Sequence, residues 1–381
     1  MILPGAWLGV VGGGQLGRMF TIRAREMGYH VAVLDPQPAS PAGAVADRQI
    51  EAAYDDPAAL AELARQCAAV TVEFENVPAH ALDLLAERVP VRPAAAAVAI
   101  TQHRLSEKEF IRAHGFATAE FVPLRGSGDV EPAFAAIGAP ALLKTSRLGY
   151  DGKGQTPVDT LADAVAAFDR FGRVECLLER RLTLELELSV VLARGADGEI
   201  RAFPPGENCH RRGILDTTLV PARVPDALAR EAEAAAAGVA RALDYVGVLG
   251  VELFVADRGR IFVNEIAPRP HNSGHFTLDA CITDQFEQQV RALAGLPLGD
   301  PGLLTPVCMV NVLGDLWSCG PPHWDAALAL PGVKLHLYGK TTPRPGRKMG
   351  HLNCIAPAPD EALALARRAH AALTSAHPED D

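Results

Sequence analysis

The residues best suited to chemistry lie in one run, Ile261-Phe262-Val263-Asn264-Glu265-Ile266-Ala267-Pro268-Arg269-Pro270-His271-Asn272-Ser273-Gly274-His275, where an apolar strand ends in a carboxylate. A guanidinium, two imidazoles and two hydrogen-bonding side chains follow within ten residues. A carboxylate suits a hard cation, and Arg269, His271 and Asn272 suit an oxyanion. The two together point to phosphate chemistry.

The preceding stretch, Gly247 to Ala256, is rich in β-formers, Asp257-Arg258-Gly259 reads as a turn, and Arg260 to Ile266 is a second strand. The pair is expected to form a hairpin. With a two-residue loop at Arg258 and Gly259, Glu252 falls opposite Glu265, and carboxylates about 5 Å apart across a ladder repel each other. A cation between them relieves that cost, and Mg²⁺ is the expected one, because it shares its remaining positions with nucleotide phosphates. A three-residue loop pairs Glu252 with Asn264 instead.

Alternating strands and helices must hold these groups. Leu8 to Val11 is a strand, Gly12-Gly13-Gly14-Gln15-Leu16-Gly17 a glycine turn, and a helix then runs through Met27 to Gly28; a second strand, Val31 to Leu34, ends at Asp35. Taken alone this stretch matches a dinucleotide-binding unit and suggests a NAD(P) enzyme, although its backbone N–H groups suit other anions equally. Asp56-Pro57 opens a helix through Gln66, and a strand from Ala69 to Phe74 brings Glu73 and Glu75 to the edge where α/β sheets bind ligands. Ala94 to Ile100 reads as the crossing into a second domain.

Beyond it a helical stretch carries Arg104 and Lys108, and the strand Ala141 to Leu143 delivers Lys144. The loop Gly149-Tyr150-Asp151-Gly152-Lys153-Gly154-Gln155 is not a Walker loop but can close over a triphosphate. Leu177-Leu178-Glu179 is a strand leading to Arg180-Arg181-Leu182; Leu186 to Arg194 alternates around Glu187 and Ser189; Glu207 to His210 follows. Long helices cover about Pro225 to Leu243 and Thr283 to Ala294. Val307 to Leu313 is a buried-type strand opening a small C-terminal piece with Tyr338-Gly339-Lys340 and Arg344 to His351, whose basic side chains suit a phosphate.

The chain has 381 residues, enough for two or three domains, with 49% hydrophobic and 22% charged residues as in a globular protein. A formal charge of −10 spread without long blocks argues against nucleic acid as a partner. Seven scattered cysteines without a CxxC pair give neither a disulfide framework nor a thiolate zinc site, and a reduced cytoplasmic setting is expected. Residues 1 to 6 lack the character of a signal peptide, and no apolar run approaches the roughly 20 residues of a membrane span.

From Leu8 to about Asn353 the chain resembles the ATP-grasp enzymes and, within them, the 5-(carboxyamino)imidazole ribonucleotide synthase family of purine biosynthesis. The resemblance is carried by Gly12 to Met19, Glu73-Phe74-Glu75-Asn76-Val77-Pro78, Gly149 to Gln155, Asn264 to His275 and Arg344 to His351. It implies an α/β ATP-grasp fold: an N-terminal Rossmann-like pre-ATP-grasp domain over 1–99 that binds no dinucleotide, an ATP-grasp domain over 100–300 and a small C-terminal domain over 301–381. It implies ATP and Mg²⁺ as cofactors, bicarbonate as cosubstrate and typically a homodimer. Bicarbonate is phosphorylated to carboxyphosphate, and the exocyclic amine of 5-aminoimidazole ribonucleotide is then carboxylated.

Carried over by position, Arg104, Lys144 and Lys153 contact ATP phosphates or neighbouring loop elements, and the loop Gly149, Tyr150, Asp151, Gly152, Gly154 and Gln155 belongs to the ATP site. Glu179, Arg180, Arg181 and Leu182 form the adenine hinge, Glu187 takes the ribose and His210 lies near the nucleotide. Glu252 and Glu265 are the metal ligands with Asn264 beside them. Arg269, His271 and Asn272 hold bicarbonate and carboxyphosphate, and with Lys153 they make up the catalytic set. Gln15, Leu16, Glu73, Tyr150, Lys340, Arg347 and Lys348 surround the ribonucleotide, the last three its phosphate. Many ATP-grasp ligases carry an Asn two residues after the second acid, where this chain has Ala267. The base for the amine proton is left open between Glu73 and His271. The rivals are a sister ATP-grasp enzyme using formate and another ribonucleotide, a NAD(P) dehydrogenase, and an ATP-binding regulator without chemistry.

Overall fold

The computed structural model describes residues 1–147, 149, 152–318 and 320–374. Its first sheet is parallel, with β1 (Trp7–Val11), β2 (His30–Leu34), β3 (Arg48–Ile50) and β4 (Ala69–Val72) in the order β3-β2-β1-β4. β1, β2 and β4 are near-continuous apolar runs because both faces are covered, whereas β3, Arg48-Gln49-Ile50, lies at the edge. Val11, Leu34, Val70 and Val72 pack against helices Pro57–Gln66, Ala79–Ala86 and Ala95–Thr101. Leu8, Val10, Val31 and Val33 pack against helix Gln15–Glu26 and against helix Gln285–Ala294 from far along the chain. Arg92 reinforces that docking through its Nη1, 2.7 Å from the Ala292 carbonyl. The helix opened by Asp56-Pro57 is capped as well: Asp56 Oδ1 accepts from Ala58 N at 2.8 Å, with Pro57 at the first helical position.

The second sheet is antiparallel: β5 (Phe121–Leu124), β6 (Ala141–Thr145), β7 (Gln155–Val158) and β8 (Cys176–Arg180) run in the order β5-β8-β6-β7. The third has nine strands, β9 (Leu184–Arg194), β10 (Ile200–Ala202), β11 (Gly206–Arg211), β12 (Ile214–Val220), β13 (Gly247–Ala256), β14 (Arg260–Ala267), β15 (Val307–Leu313), β16 (Val333–Leu337) and β17 (Lys348–Ile355). Its order is β14-β13-β9-β11-β12-β15-β17-β16, with β10 on β9. Because β15 pairs with β12, the C-terminal strands continue this sheet, while helix Pro359–Ala372 covers their own apolar cluster.

Alternation along β9 sends Leu188, Val190 and Leu192 into the core under helix Asp226–Ala242. Glu187 and Ser189 therefore take the opposite face. On β13 the core takes Leu249, Val251, Leu253 and Val255, leaving Gly250, Glu252 and Phe254 on the functional side.

The β13–β14 hairpin corrects one expectation. Its loop has three residues, Asp257-Arg258-Gly259, all at positive φ (51°, 68° and 84°), so Ala256 faces Arg260 and Leu253 faces Val263. That count alone would set Glu252 against Asn264. A bulge between Glu252 and Leu253 in the pairing inserts one extra residue on β14, and Glu252 pairs with Glu265 after all. The bulge decides the face as well as the partner. Ile261 and Val263 point into the core, and strict alternation would send Glu265 after them; the extra residue hands that place to Ile266 and turns Glu265 toward solvent.

Candidate active site

The three sheets enclose a cavity of about 870 Å³. Most of the residues singled out from the sequence line it, from every part of the chain.

The N-terminal sheet contributes Gly14, Gln15, Leu16, Glu73 and Glu75. A Cβ on Gly14 would lie 2.2 Å from Glu73 Oε1, so the glycine turn is shaped to admit this protein's own carboxylate. Burial pushes the Glu73 carboxyl above its ordinary value, against the pull of the Gly14 N–H, Arg269 and Lys340. Asp35, the acid that a dinucleotide reading would assign to a ribose, is buried and accepts from Gly13 N (2.6 Å), Tyr54 OH (2.8 Å) and Gln37 N (2.8 Å). Lys340 crosses from the C-terminal strands, its Nζ 2.5 Å from Gln15 Oε1 and 2.7 Å from the Lys348 carbonyl.

The opposite wall is cationic. Glu179 Oε1 lies 2.5 Å from Lys144 Nζ and its Oε2 lies 2.9 Å from Lys108 Nζ, all three side chains being almost wholly buried. Burial works to raise the Glu179 carboxyl, but the two ammonium groups outweigh it and hold the pKa at about 2. Burial depresses the Lys144 ammonium, and Glu179 only partly opposes this. Two cations share one anion, which leaves a positive surplus facing the cavity. Arg104, Gly152, Lys153, Gln155, Arg180, Arg181 and Leu182 complete this wall. Glu187 Oε2 meets His210 Nδ1 at 2.7 Å, a neighbour that favours the charged imidazole despite its burial.

Glu252 and Glu265 form the floor with Asn264. Burial and the adjacent Glu265 push the Glu252 carboxyl up to about 7. The strain of two facing carboxylates fits a hard divalent cation. Among the described residues no three His, Cys, Asp or Glu side chains form a metal-binding group, so such a cation needs oxygens from a ligand. Sequence reasoning missed a third acid here: Glu107 Oε1 accepts from Ile266 N at 2.6 Å, and burial with Glu265 nearby pushes its carboxyl up to about 8. Its signal was a charged pair, Glu107-Lys108, on the buried stripe of helix Arg104–Ala113.

Downstream, Arg269 Nε donates to Glu75 Oε2 at 2.5 Å, and the guanidinium holds that carboxyl below its ordinary value despite burial. His271 Nε2 lies 3.4 Å from Glu252 Oε1. Asn272 exchanges amide hydrogen bonds with Asn311 at 3.0 and 2.8 Å, and Asn311 was not foreseen.

Not every expected residue is on the wall. Gly149 borders a small adjoining hollow, Gly154 packs against Thr145, and the Arg347 guanidinium donates to the Thr342 carbonyl at 2.7 Å instead of lining the cavity. Tyr150 and Asp151 lie outside the described residues.

Comparison with known proteins identifies relatives of similar length. The ribonucleotide synthetase preATP-grasp domain matches residues 6–102, the ATP-grasp domain 109–286, and the phosphoribosylaminoimidazole carboxylase C-terminal domain 307–365. N5-carboxyaminoimidazole ribonucleotide synthase of Brucella melitensis is 46% identical over 359 residues, covering 93% of this chain and 97% of that protein. The Bacillus subtilis protein of the same name is 43% identical, covering 95% and 94%. The crystal structure of N5-carboxyaminoimidazole synthase from Aspergillus clavatus, in complex with ADP and 5-aminoimidazole ribonucleotide, superposes with a TM-score of 0.90 at 31% identity, covering 97% and 98%.

Proposed function

Because the chain belongs to the N5-carboxyaminoimidazole ribonucleotide synthase family of ATP-grasp proteins, we propose that it couples ATP cleavage to carboxylation of the exocyclic amine of 5-aminoimidazole ribonucleotide. Bicarbonate takes the γ-phosphoryl group, giving ADP and carboxyphosphate; the amine then receives the carboxyl group and phosphate leaves. The carrying observation is one cavity that joins the Glu252–Glu265 pair, the Lys108–Glu179–Lys144 cluster and the Gln15–Lys340 contact.

The geometry supports a division of labour. Arg104, Lys144 and Lys153 draw the triphosphate to the cationic wall, where fixed positive charge stabilises the transferring group. Glu252 and Glu265 would hold Mg²⁺, which when bound offsets phosphate charge. Arg269, anchored on Glu75, gathers the second anion that ATP would otherwise repel. Glu73, Gln15, Leu16, Lys340 and Lys348 form the ribonucleotide side, reached from both the N-terminal turn and the last strands. Excluding water from this space spares carboxyphosphate from hydrolysis. A cytoplasmic homodimer is part of the proposal; no helix among the described residues is long and apolar enough to cross a membrane.

An omission assay tests the reaction. ATP cleavage should need aminoimidazole ribonucleotide and be limited by bicarbonate, and turnover driven by formate would overturn the assignment. Lys340→Ala removes a charge-assisted contact remote from the reacting atoms, so steady-state kinetics should give a KM for the ribonucleotide raised roughly tenfold or more with a smaller change in kcat. An unchanged KM would take Lys340 out of the substrate site.

A further inference from the structure

His271 is held by its neighbours more tightly than an anion-binding side chain requires. Gln285, wholly buried at the start of its helix, accepts from His271 N at 2.8 Å and donates to the His271 carbonyl at 2.9 Å, clamping that backbone as a neighbouring strand would. Two glycines make room for the arrangement. A Cβ on Gly274 would lie 2.6 Å from Gln285 Oε1, and one on Gly250 would lie 2.7 Å from His271 Cβ.

The ring is fixed as well as the backbone. Ser189 Oγ donates to Ser273 Oγ at 2.8 Å, which leaves the Ser273 hydroxyl hydrogen for His271 Nδ1, 2.8 Å away. Ser273 N also points at Nδ1, at 3.4 Å. Two donors converging on one nitrogen require a lone pair there. Both serines are buried, so water does not compete for these contacts.

We infer that Ser189 and Ser273 are positioning residues that hold His271, on a backbone fixed by Gln285, in the tautomer with its proton on Nε2, so that it enters the cavity as a hydrogen-bond donor. In that form the Nε2–H faces the space beside Glu252, 3.4 Å from Oε1, and the ring has no lone pair to offer a substrate. Resting on the carboxylation reading, this separates the two candidates for the amine proton. His271 donates to oxygens of the second anion, and the amine proton goes to the other candidate, the Glu73 carboxylate on the cavity wall. A donor aimed where charge develops needs no reorganisation at the moment of reaction, which is the advantage of fixing it beforehand.

The tautomer can be read directly in the ligand-free protein labelled with ¹⁵N-histidine. Long-range proton–nitrogen spectra distinguish the two forms, and His271→Asn identifies the resonance. The expected result is the Nε2–H pattern in the wild type and a mixture in Ser273→Ala, with kcat reduced roughly fivefold to tenfold and the KM for ATP unchanged. In the His271→Asn background, Ser273→Ala should cost nothing further, because its effect passes through the imidazole. His271→Gln, whose amide can donate from near the Nε2 position, should keep more activity than His271→Asn. An Nδ1–H pattern in the wild type overturns the inference, as does an undiminished loss from Ser273→Ala without the imidazole. The spectrum requires no turnover, so its failure is separable from failure of the bicarbonate and ribonucleotide requirement.

Discussion

Glu265→Gln should lower ATP turnover by on the order of 10³-fold or more while leaving the folded protein at least as stable as the wild type. The two halves of this expectation come from the same geometry. Glu265 faces the cavity across from Glu252, and glutamine keeps its shape but removes the charge that a divalent ion needs. The same change relieves repulsion on two neighbours, since Glu265 helps push Glu252 up to about 7 and Glu107 up to about 8. A buried carboxyl with a raised pKa binds its proton more tightly folded than unfolded, so it costs stability as pH rises through the window from about 4.5 to 7 for Glu252. The metal-free wild type should therefore lose stability across that window, and the variant should lose less. Thermal denaturation in chelator at pH 5 and pH 8, beside an ATP-cleavage assay with Mg²⁺, measures both. Turnover close to wild type would end the cation assignment, and a marked fall in Tm would mean that Glu265 is a structural residue.

The second large effect is on stability. Glu179→Gln leaves Lys108 and Lys144 buried without their shared carboxylate, and breaking a buried ion pair in this way costs about 3–5 kcal/mol. The pH dependence carries a distinct signature. A carboxyl held at about 2 contributes stability that is complete above its unfolded value near 4.5 and is lost as pH falls from there toward 2. That acid-side dependence should be weaker in Glu179→Gln, which starts from a lower denaturant midpoint at pH 7. Replacing Lys108 by Met in the same chain removes one of the stranded charges and should restore part of the loss. If Glu179→Gln unfolds at the wild-type midpoint, the cluster is not an anchor of the small sheet.

The alternation of apolar runs, the caps and the glycine turns were legible because each depends on a few neighbouring residues. The helix from Pro57 with Asp56 as its cap, the strands ending at Asp35 and beside Glu73, and the long helix under β9 all lie where local pattern puts them. The hairpin is the instructive case. The pairing of Glu252 with Glu265 was expected from a two-residue loop, whereas the chain makes a three-residue loop and recovers the pairing through a bulge. Loop length and bulge are one register choice made by packing. Ile261, Val263 and Ile266 all have to reach the core, and no residue-level propensity announces the extra position between them.

Site residues divide along the same line. Gln15, Lys144, Glu252, Arg269 and Lys340 could be named from charge and motif, and the cavity contains them all. Glu107, Asn311 and Gln285 could not, because nothing near them in sequence reports what they touch. Glu107 acts on Ile266 across 159 positions and Asn311 on Asn272 across 39.

By itself the sequence determined which groups are available and which local elements carry them, since hydrophobic period, capping and turn chemistry are short-range. Only the tertiary structure decided that Glu265 faces the cavity instead of the core, that Glu179 is shared by two lysines, that Asp35 is consumed by Gly13, Gln37 and Tyr54, and which nitrogen of His271 looks outward. Those outcomes depend on which buried donor meets which buried acceptor. Folding settles that by satisfying polar groups across hundreds of residues at once, and no local window of sequence contains the information.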